Sequence, residues 1–217
     1  MGAPPQVAPR EKAEGETVDL EGIKRGHSNA VVLDLILRRW SPRAFAAIPV
    51  TDSELKQVFE AGLWAASSNN EQPWRFVLGR KGDKVWDLIF GALTERNQGW
   101  ARMSPILFAT FAKKTFSRGG APNRHGFHDV GAACSNISLQ ATALGLHTHG
   151  MAGFNPDQLH SALKAPDDFE AVACWALGRL GDPADLPDML RTIELSTRSR
   201  KSVDEVVFGG DWGQPAL

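Results

Sequence analysis

The chain has 217 residues, 42% of them hydrophobic, which is enough for one substantial buried core. Its 24 Lys and Arg stand against 25 Asp and Glu, and a net charge of −1 argues against nucleic acid held through bulk positive charge. The only cysteines, Cys134 and Cys174, are too few for a disulfide-stapled scaffold or a four-cysteine zinc site.

Residues 1–20 carry proline, glycine and charge with few large apolar side chains; together with the segment up to residue 27 they read as a mobile arm. The opening MGAPPQVAPREKAEG has no apolar core of a secretory signal, and no run reaches the length of a membrane span. A cytoplasmic protein with no membrane partner is the expectation. Ser28 is placed as the N-cap of a helix through AVVLDLILRRW, which Pro42 ends or redirects. Thr51 to Glu54 is a capping box, and Leu55, Val58, Phe59, Gly62 and Leu63 then recur on one helical face. After the polar cluster Ser67-Ser68-Asn69-Asn70, Arg75–Leu78 reads as a strand closed by Gly79, and residues 84–97 as a helix. Pro105–Phe111 is a continuous apolar run of the kind buried on both faces of a sheet. Residues 115–127 are rich in Gly, Pro and Arg and read as a loop or lid.

From Asp129 to Leu146, small residues and leucines alternate at helical spacing, and this helix is placed centrally. Asn155-Pro156 opens another helix, Phe169–Leu177 is a last core strand, and a polar tail follows from Gly181. Helices outnumber strands, and the whole of 28–217 is read as a single α+β domain.

Four stretches carry candidate chemistry. Arg38-Arg39-Trp40-Ser41-Pro42-Arg43 gathers guanidinium forks and a hydroxyl that match phosphate oxygens, although arginines at a helix end also complement its dipole in solvent. Ser67 through Arg75 supplies paired donors and acceptors suited to a ribityl chain and pyrimidine edge, or simply a capped turn. His147-Thr148-His149 lacks the further ligands of a metal site, whereas Gly150 and Gly153 let backbone approach a planar ligand closely. Arg198-Ser199-Arg200-Lys201 is a basic patch. A nucleophile elbow, a Rossmann glycine fingerprint and tyrosine are all absent from the sequence, so no acyl-transfer or dinucleotide-fold site is indicated.

In order along the chain, these stretches resemble the FMN-dependent nitroreductase family. Arg39-Trp40-Ser41-Pro42-Arg43-Ala44-Phe45 looks like the family's R-x-S-x-[RK]-x-F opening. Ala66-Ser67-Ser68-Asn69-Asn70-Glu71-Gln72-Pro73-Trp74-Arg75-Phe76 resembles its PSS-x-N-x-QPW-x-F segment, with Ala66 in place of proline. Asp129–Leu146 is similar to its central helix, Gly150–Phe154 to the glycine turn beside the flavin, and Arg198–Arg200 to its basic C-terminal element.

The resemblance implies an α+β sandwich, with a small, mainly antiparallel sheet wrapped by helices, in a domain-entwined homodimer with FMN at the interface. It implies that Arg39, Ser41, Arg198 and Arg200 surround the phosphate, with Trp40 adding bulk inside that motif, and that Arg43 lies at the N1/O2 edge. Ser67, Ser68 and Asn70 would reach FMN from the partner subunit, with Gln72 nearby, and the Ala152–Gly153 backbone would lie near N5. The implied activity is electron transfer from NADH or NADPH through the flavin to a nitroaromatic, quinone or similar acceptor, by alternating occupation of one site. Reductive dehalogenation, flavin fragmentation and a flavin-binding module without turnover stand as alternatives. His149, His125 and His128 are candidate proton donors, and Arg118 and Arg124 in the loop 115–127 would favour an anionic partner.

Overall fold

The computed structural model describes residues 18–217. Among them are a four-stranded antiparallel sheet and eight helices. The strands are β1 (Trp74–Arg80), β2 (Ile106–Lys113), β3 (His147–Met151) and β4 (Phe169–Gly178), in the order β1-β2-β4-β3. The helices are α1 (Leu20–Lys24), α2 (Asp34–Arg38), α3 (Asp52–Leu63), α4 (Lys84–Ala92), α5 (Glu95–Ala101), α6 (Gly126–Ala143), α7 (Pro156–Ala162) and α8 (Asp188–Leu195).

Strand β2 sits in the middle of the sheet and is buried on both faces, which is why its sequence is an unbroken apolar run. Its side chains alternate between two cores. Leu107, Ala109 and Phe111 pack with Trp86, Ile89, Trp100 and Leu159 from α4, α5 and α7. Ile106 and Phe108 pack with Leu55 and Val58 of α3 and Ile137 and Ala141 of α6. Helices α3 and α6 approach closely because Gly62 offers no side chain: a β-carbon there would stand 2.8 Å from Ile137 Cγ1. The capping box at Thr51 and Glu54 forms in both directions and starts α3 where the sequence places it.

Several expected elements have different boundaries. The helix assigned to the stretch after Ser28 contracts to α2; Ser28 Oγ accepts the nearby Ala30 N–H instead of capping it, and Arg39 is already extended. Residues 84–97 split into α4 and α5, because Leu93 leaves helical geometry to pair with Phe154. Gly79 lies inside β1 rather than closing it. The histidine-glycine stretch forms the edge strand β3, and the tail after Gly181 contains α8. Helix α1 falls inside the stretch read as an arm, with Leu20 and Lys24 buried. The remainder of that arm, residues 1–17, lies outside the described residues.

Gly79 is buried where α4 begins, and any β-carbon there would collide with the Val85–Trp86 backbone. Gly79→Ala is therefore expected to destabilise the protein by about 1–3 kcal/mol, read as a lower urea midpoint. An unchanged midpoint would mean that α4 does not rest on β1 as described.

Candidate functional site

From Arg39 the chain between α2 and α3 is irregular apart from a bridge at Phe45, so most of its backbone groups, like the last carbonyls of α2, are not satisfied by a ladder. Remote elements supply the partners instead. The Arg198 guanidinium donates to Arg39 O at 2.6 Å and to Leu37 O. His149 Nδ1–H donates to Pro42 O at 2.7 Å. Glu194 Oε1 accepts the N–H groups of Arg43 and Ala44 at 2.7 and 2.9 Å. Phe45 then pairs with Leu180, just past β4. The loop is thus clamped by three side chains distant from it in sequence.

What the clamped loop presents is charge. A cavity of about 200 Å³ is lined by Arg39, Ser41, Arg43, Arg198 and Arg200, together with Lys24, Trp40, Ile193 and Glu194. Six of the predicted site residues, Trp40 among them, therefore come together. Burial lowers the pKa of Arg39, and the like charge of Arg200 lowers it further. Arg39 Nη1 lies 3.4 Å from Ser41 Oγ, and the buried Arg198 Nε has no partner among the described residues. Guanidinium and hydroxyl donors without a matching set of acceptors fit an oxyanion such as phosphate. Trp40 is buried behind the loop, its indole packed between Lys24 Nζ, 5.2 Å from the ring centroid, and the edge of His147. Arg198 spends both terminal nitrogens on backbone carbonyls, so it acts on the cavity mainly through its charge.

A second cavity of about 370 Å³ shares Arg39 and Ser41 with the first. Its walls are small or apolar: Gly131, Cys134 and Ser135 from α6, and Thr110, Gly150 and Trp175 from the sheet. Gly150 is needed here, because a β-carbon would stand 2.9 Å from the Trp175 ring. Just beyond β3, the Gly153 carbonyl accepts from Thr94 N and Asn97 Nδ2, both at 3.0 Å. The Gly153 N–H makes no hydrogen bond among the described residues. The predicted Ala152–Gly153 segment thus offers a backbone donor on a fixed turn.

Ser67, Ser68, Asn70 and Gln72 do not join the arginines within one chain; they line neither cavity. They form a tight turn after α3 in which Asn69, Asn70 and Gln72 all have positive φ, between 51° and 54°. Such geometry persists only when its surroundings hold it. Asp129, buried on α6, accepts the Ser68 N–H at 3.0 Å, and Ser67 Oγ accepts the Gln72 N–H at 3.0 Å. Glu71 ties the turn to the loop 115–127 by accepting Ser117 Oγ–H at 2.6 Å and Ser117 N–H at 3.0 Å. These bonds hold the Glu71 carboxyl below the usual carboxylate range.

Sequence reasoning missed Lys24, Glu194, Asp129 and Glu71. The last two lay inside recognised motifs, and the first two lay in segments read as arm and tail. His149 is fixed by Pro42 O and packed on Trp100, with ring centroids 4.5 Å apart, while His125 and His128 are exposed. Cys134 and Cys174 are buried thiols whose pKa burial pushes up to about 12, so neither is a ready nucleophile.

Burial drives both His147 and His149 down to about 4 from an ordinary 6.5. Above pH 6.5 both are neutral whether the chain is folded or not. Between pH 6.5 and 4 the unfolded chain takes up protons that the folded chain refuses, and stability falls by up to about 3 kcal/mol for each. Urea unfolding should therefore show a falling midpoint from pH 6.5 to 5, with a shallower slope in a His147→Gln variant. Midpoints that stay level over that interval would contradict the burial of these imidazoles in neutral form.

Comparison with known proteins bears on the family of the chain. The nitroreductase family profile matches residues 36–100 and 91–179. An FMN-containing oxidoreductase of known crystal structure is 37% identical and superposes with a TM-score of 0.80, covering 86% of this chain and 96% of its own. A provisionally named nitroreductase from Desulfovibrio desulfuricans, solved in complex with FMN, is 25% identical with a TM-score of 0.66, over 85% of this chain and 99% of its own. A Xanthomonas oryzae protein provisionally named NADH dehydrogenase/NAD(P)H nitroreductase is 28% identical over 177 residues, 73% of this chain and 89% of its own. The chain belongs to the nitroreductase family.

Proposed function

We propose that this protein is an FMN-dependent oxidoreductase that passes electrons from NADH or NADPH to a nitroaromatic, quinone or similar small acceptor. The observation that carries the reading is the convergence of Arg39, Ser41, Arg43, Arg198 and Arg200 on one cavity in a chain of this family. Support for the cofactor comes from the FMN of two similar solved proteins, and for the donor from the name of the Xanthomonas relative.

Arg39, Ser41 and Arg200 hold the phosphate, while Arg198 fixes the loop and adds its charge from behind. When bound, FMN supplies a two-electron store, reduced by the nicotinamide and reoxidised by the acceptor at one shared position. Arg43 would serve the N1/O2 edge, where a fixed cation would stabilise negative charge on the reduced ring. The Gly153 N–H, unpaired among the described residues, would be the donor for the ring edge near N5. Histidine acid catalysis is not required: His149 is neutral at physiological pH and its Nδ1 proton is committed to Pro42.

The site is completed by a second copy of the chain. Ser67, Ser68, Asn70 and Gln72 stand apart from the arginines of their own protomer, so in this reading they act across a homodimer interface on the partner's cofactor. Large apolar residues exposed along 31–36 and near the C-terminus, among them Val31, Leu33, Val206 and Trp212, would be covered in the same assembly. Among the described residues, no helix is long and apolar enough to cross a membrane. The near-neutral net charge gives no reason to invoke nucleic acid. A cytoplasmic location remains our reading, as does the division into residues 1–27 and one FMN-binding domain over 28–217, with α1 packed against the latter.

The protein should purify yellow or take up added FMN, bleach anaerobically with NADH or NADPH, and regain colour with a nitroaromatic or quinone. Yellow protein that no nicotinamide bleaches would instead be a binding module, and colour regained only with a halogenated acceptor would favour dehalogenation. Arg39→Ala should weaken FMN binding by about 10- to 100-fold, the worth of one charge-assisted hydrogen bond. Arg43→Ala should lower the flavin's reduction potential with less effect on affinity. Wild-type affinity in the first variant, or a wild-type potential in the second, would remove that residue from its assigned role.

A further inference from the structure

One wall of the arginine cavity is acidic, and the function proposed above makes no use of it. Glu194, in the last turn of α8, is only 1% exposed. Its Oε1 accepts two amides of the cationic loop, those of Arg43 and Ala44. Its Oε2 is buried, lacks a partner among the described residues, and belongs to a side chain lining the same cavity as the arginines. A glutamine carbonyl could accept those two amides equally well. A buried carboxylate costs several kcal/mol in desolvation unless cations face it.

Two cations, Lys24 and Arg43, line the same cavity as this carboxylate. Lys24 is buried, and its Nζ is fixed on Ile193 O at 2.8 Å and Ser196 O at 2.5 Å, on either side of Glu194 in sequence. Burial lowers the pKa of Lys24, and Glu194 opposes that shift; the same two influences act in the same order on Arg43. Both Lys24 and Glu194 lie outside the family-matched residues, one before position 36 and one after 179. Two segments unrelated in sequence thus meet behind the loop and bring opposite charges with them.

We propose that Glu194 is a positioning and charge-setting residue of this site. Its carboxylate fixes the backbone at Arg43 and Ala44, and it offsets one of the cavity's positive charges. It thereby limits how tightly the cavity holds an anion and how strongly Arg43 favours a reduced, negatively charged flavin. The flavin half of the proposal rests on the function proposed above; the anion half rests on the cavity alone. With Glu194 in place, Lys24, Arg39, Arg43, Arg198 and Arg200 face one carboxylate; with glutamine they face none.

Two substitutions separate charge from reach. Glu194→Gln keeps the length and the acceptor but removes the charge, and flavin-free protein carrying it should bind inorganic phosphate about three- to tenfold more tightly than wild type. Glu194→Asp keeps the charge but shortens the arm, and should lose hydrogen-exchange protection at the Arg43 and Ala44 amides while Glu194→Gln retains it. In FMN-loaded protein, the Glu194→Gln potential should be more positive than wild type, a change that a purely structural role does not produce. Equal phosphate affinity in wild type and Glu194→Gln overturns charge setting, and retained amide protection in Glu194→Asp overturns positioning. Wild-type protein that takes up no FMN defeats the proposed function, and the phosphate and exchange comparisons then decide the role of Glu194 by themselves.

Discussion

Like charges do not gather without a scaffold that holds them. Arg39, Arg43, Arg198 and Arg200 repel one another in a partly buried cavity, and burial adds to the cost of each charge. The clamps on residues 37–44 answer that constraint. Arg198, His149 and Glu194 bond three carbonyls and two amides of the segment, so that the backbone is held at several points while the side chains remain available to an anion. A cluster assembled in this way is preorganised: the cost of bringing the cations together is met in folding rather than in binding.

The sheet gives those clamps fixed origins. His149 lies on β3, which pairs with β4, and β4 runs directly into the segment that pairs with Phe45. Glu194 and Arg198 come from α8 and the chain just beyond it, and α8 is tied to α1 through Lys24. The strained turn at Asn69–Gln72 is held in a parallel way, by Asp129 from α6 and through Glu71 by Ser117. Within a single chain the turn residues line neither of the cavities that the arginines line. An enclosed site would need a second copy to bring them together, which is why the homodimer belongs to the functional reading.

The parts of the fold most legible in sequence were those with strong local signals. The capping box at Thr51, the continuous apolar run of β2 and the Asn155-Pro156 helix start all formed where their patterns placed them. Strand β3 escaped notice because His147-Thr148-His149-Gly150-Met151 has one β-branched residue, Thr148, and no apolar alternation, and its conformation comes from pairing with β4. Helix α8 is short and follows proline-rich chain, so its periodicity is brief. The arginines were legible because a guanidinium's chemistry can be read from the letter alone. Glu194 and Lys24 were not, since a lone Glu or Lys in a polar stretch reads as solvated until a tertiary contact buries it.

The account turns on an anion held by the clamped cationic loop, and comparing FMN with riboflavin isolates that term because the two differ only in the phosphate. Flavin-free protein should be titrated with each, following flavin fluorescence. Binding of FMN at least about 100-fold tighter than riboflavin, with the advantage shrinking as salt is raised, is the predicted result. Equal affinity for the two flavins would contradict the account, since the arginine cavity would then have no part in holding the cofactor.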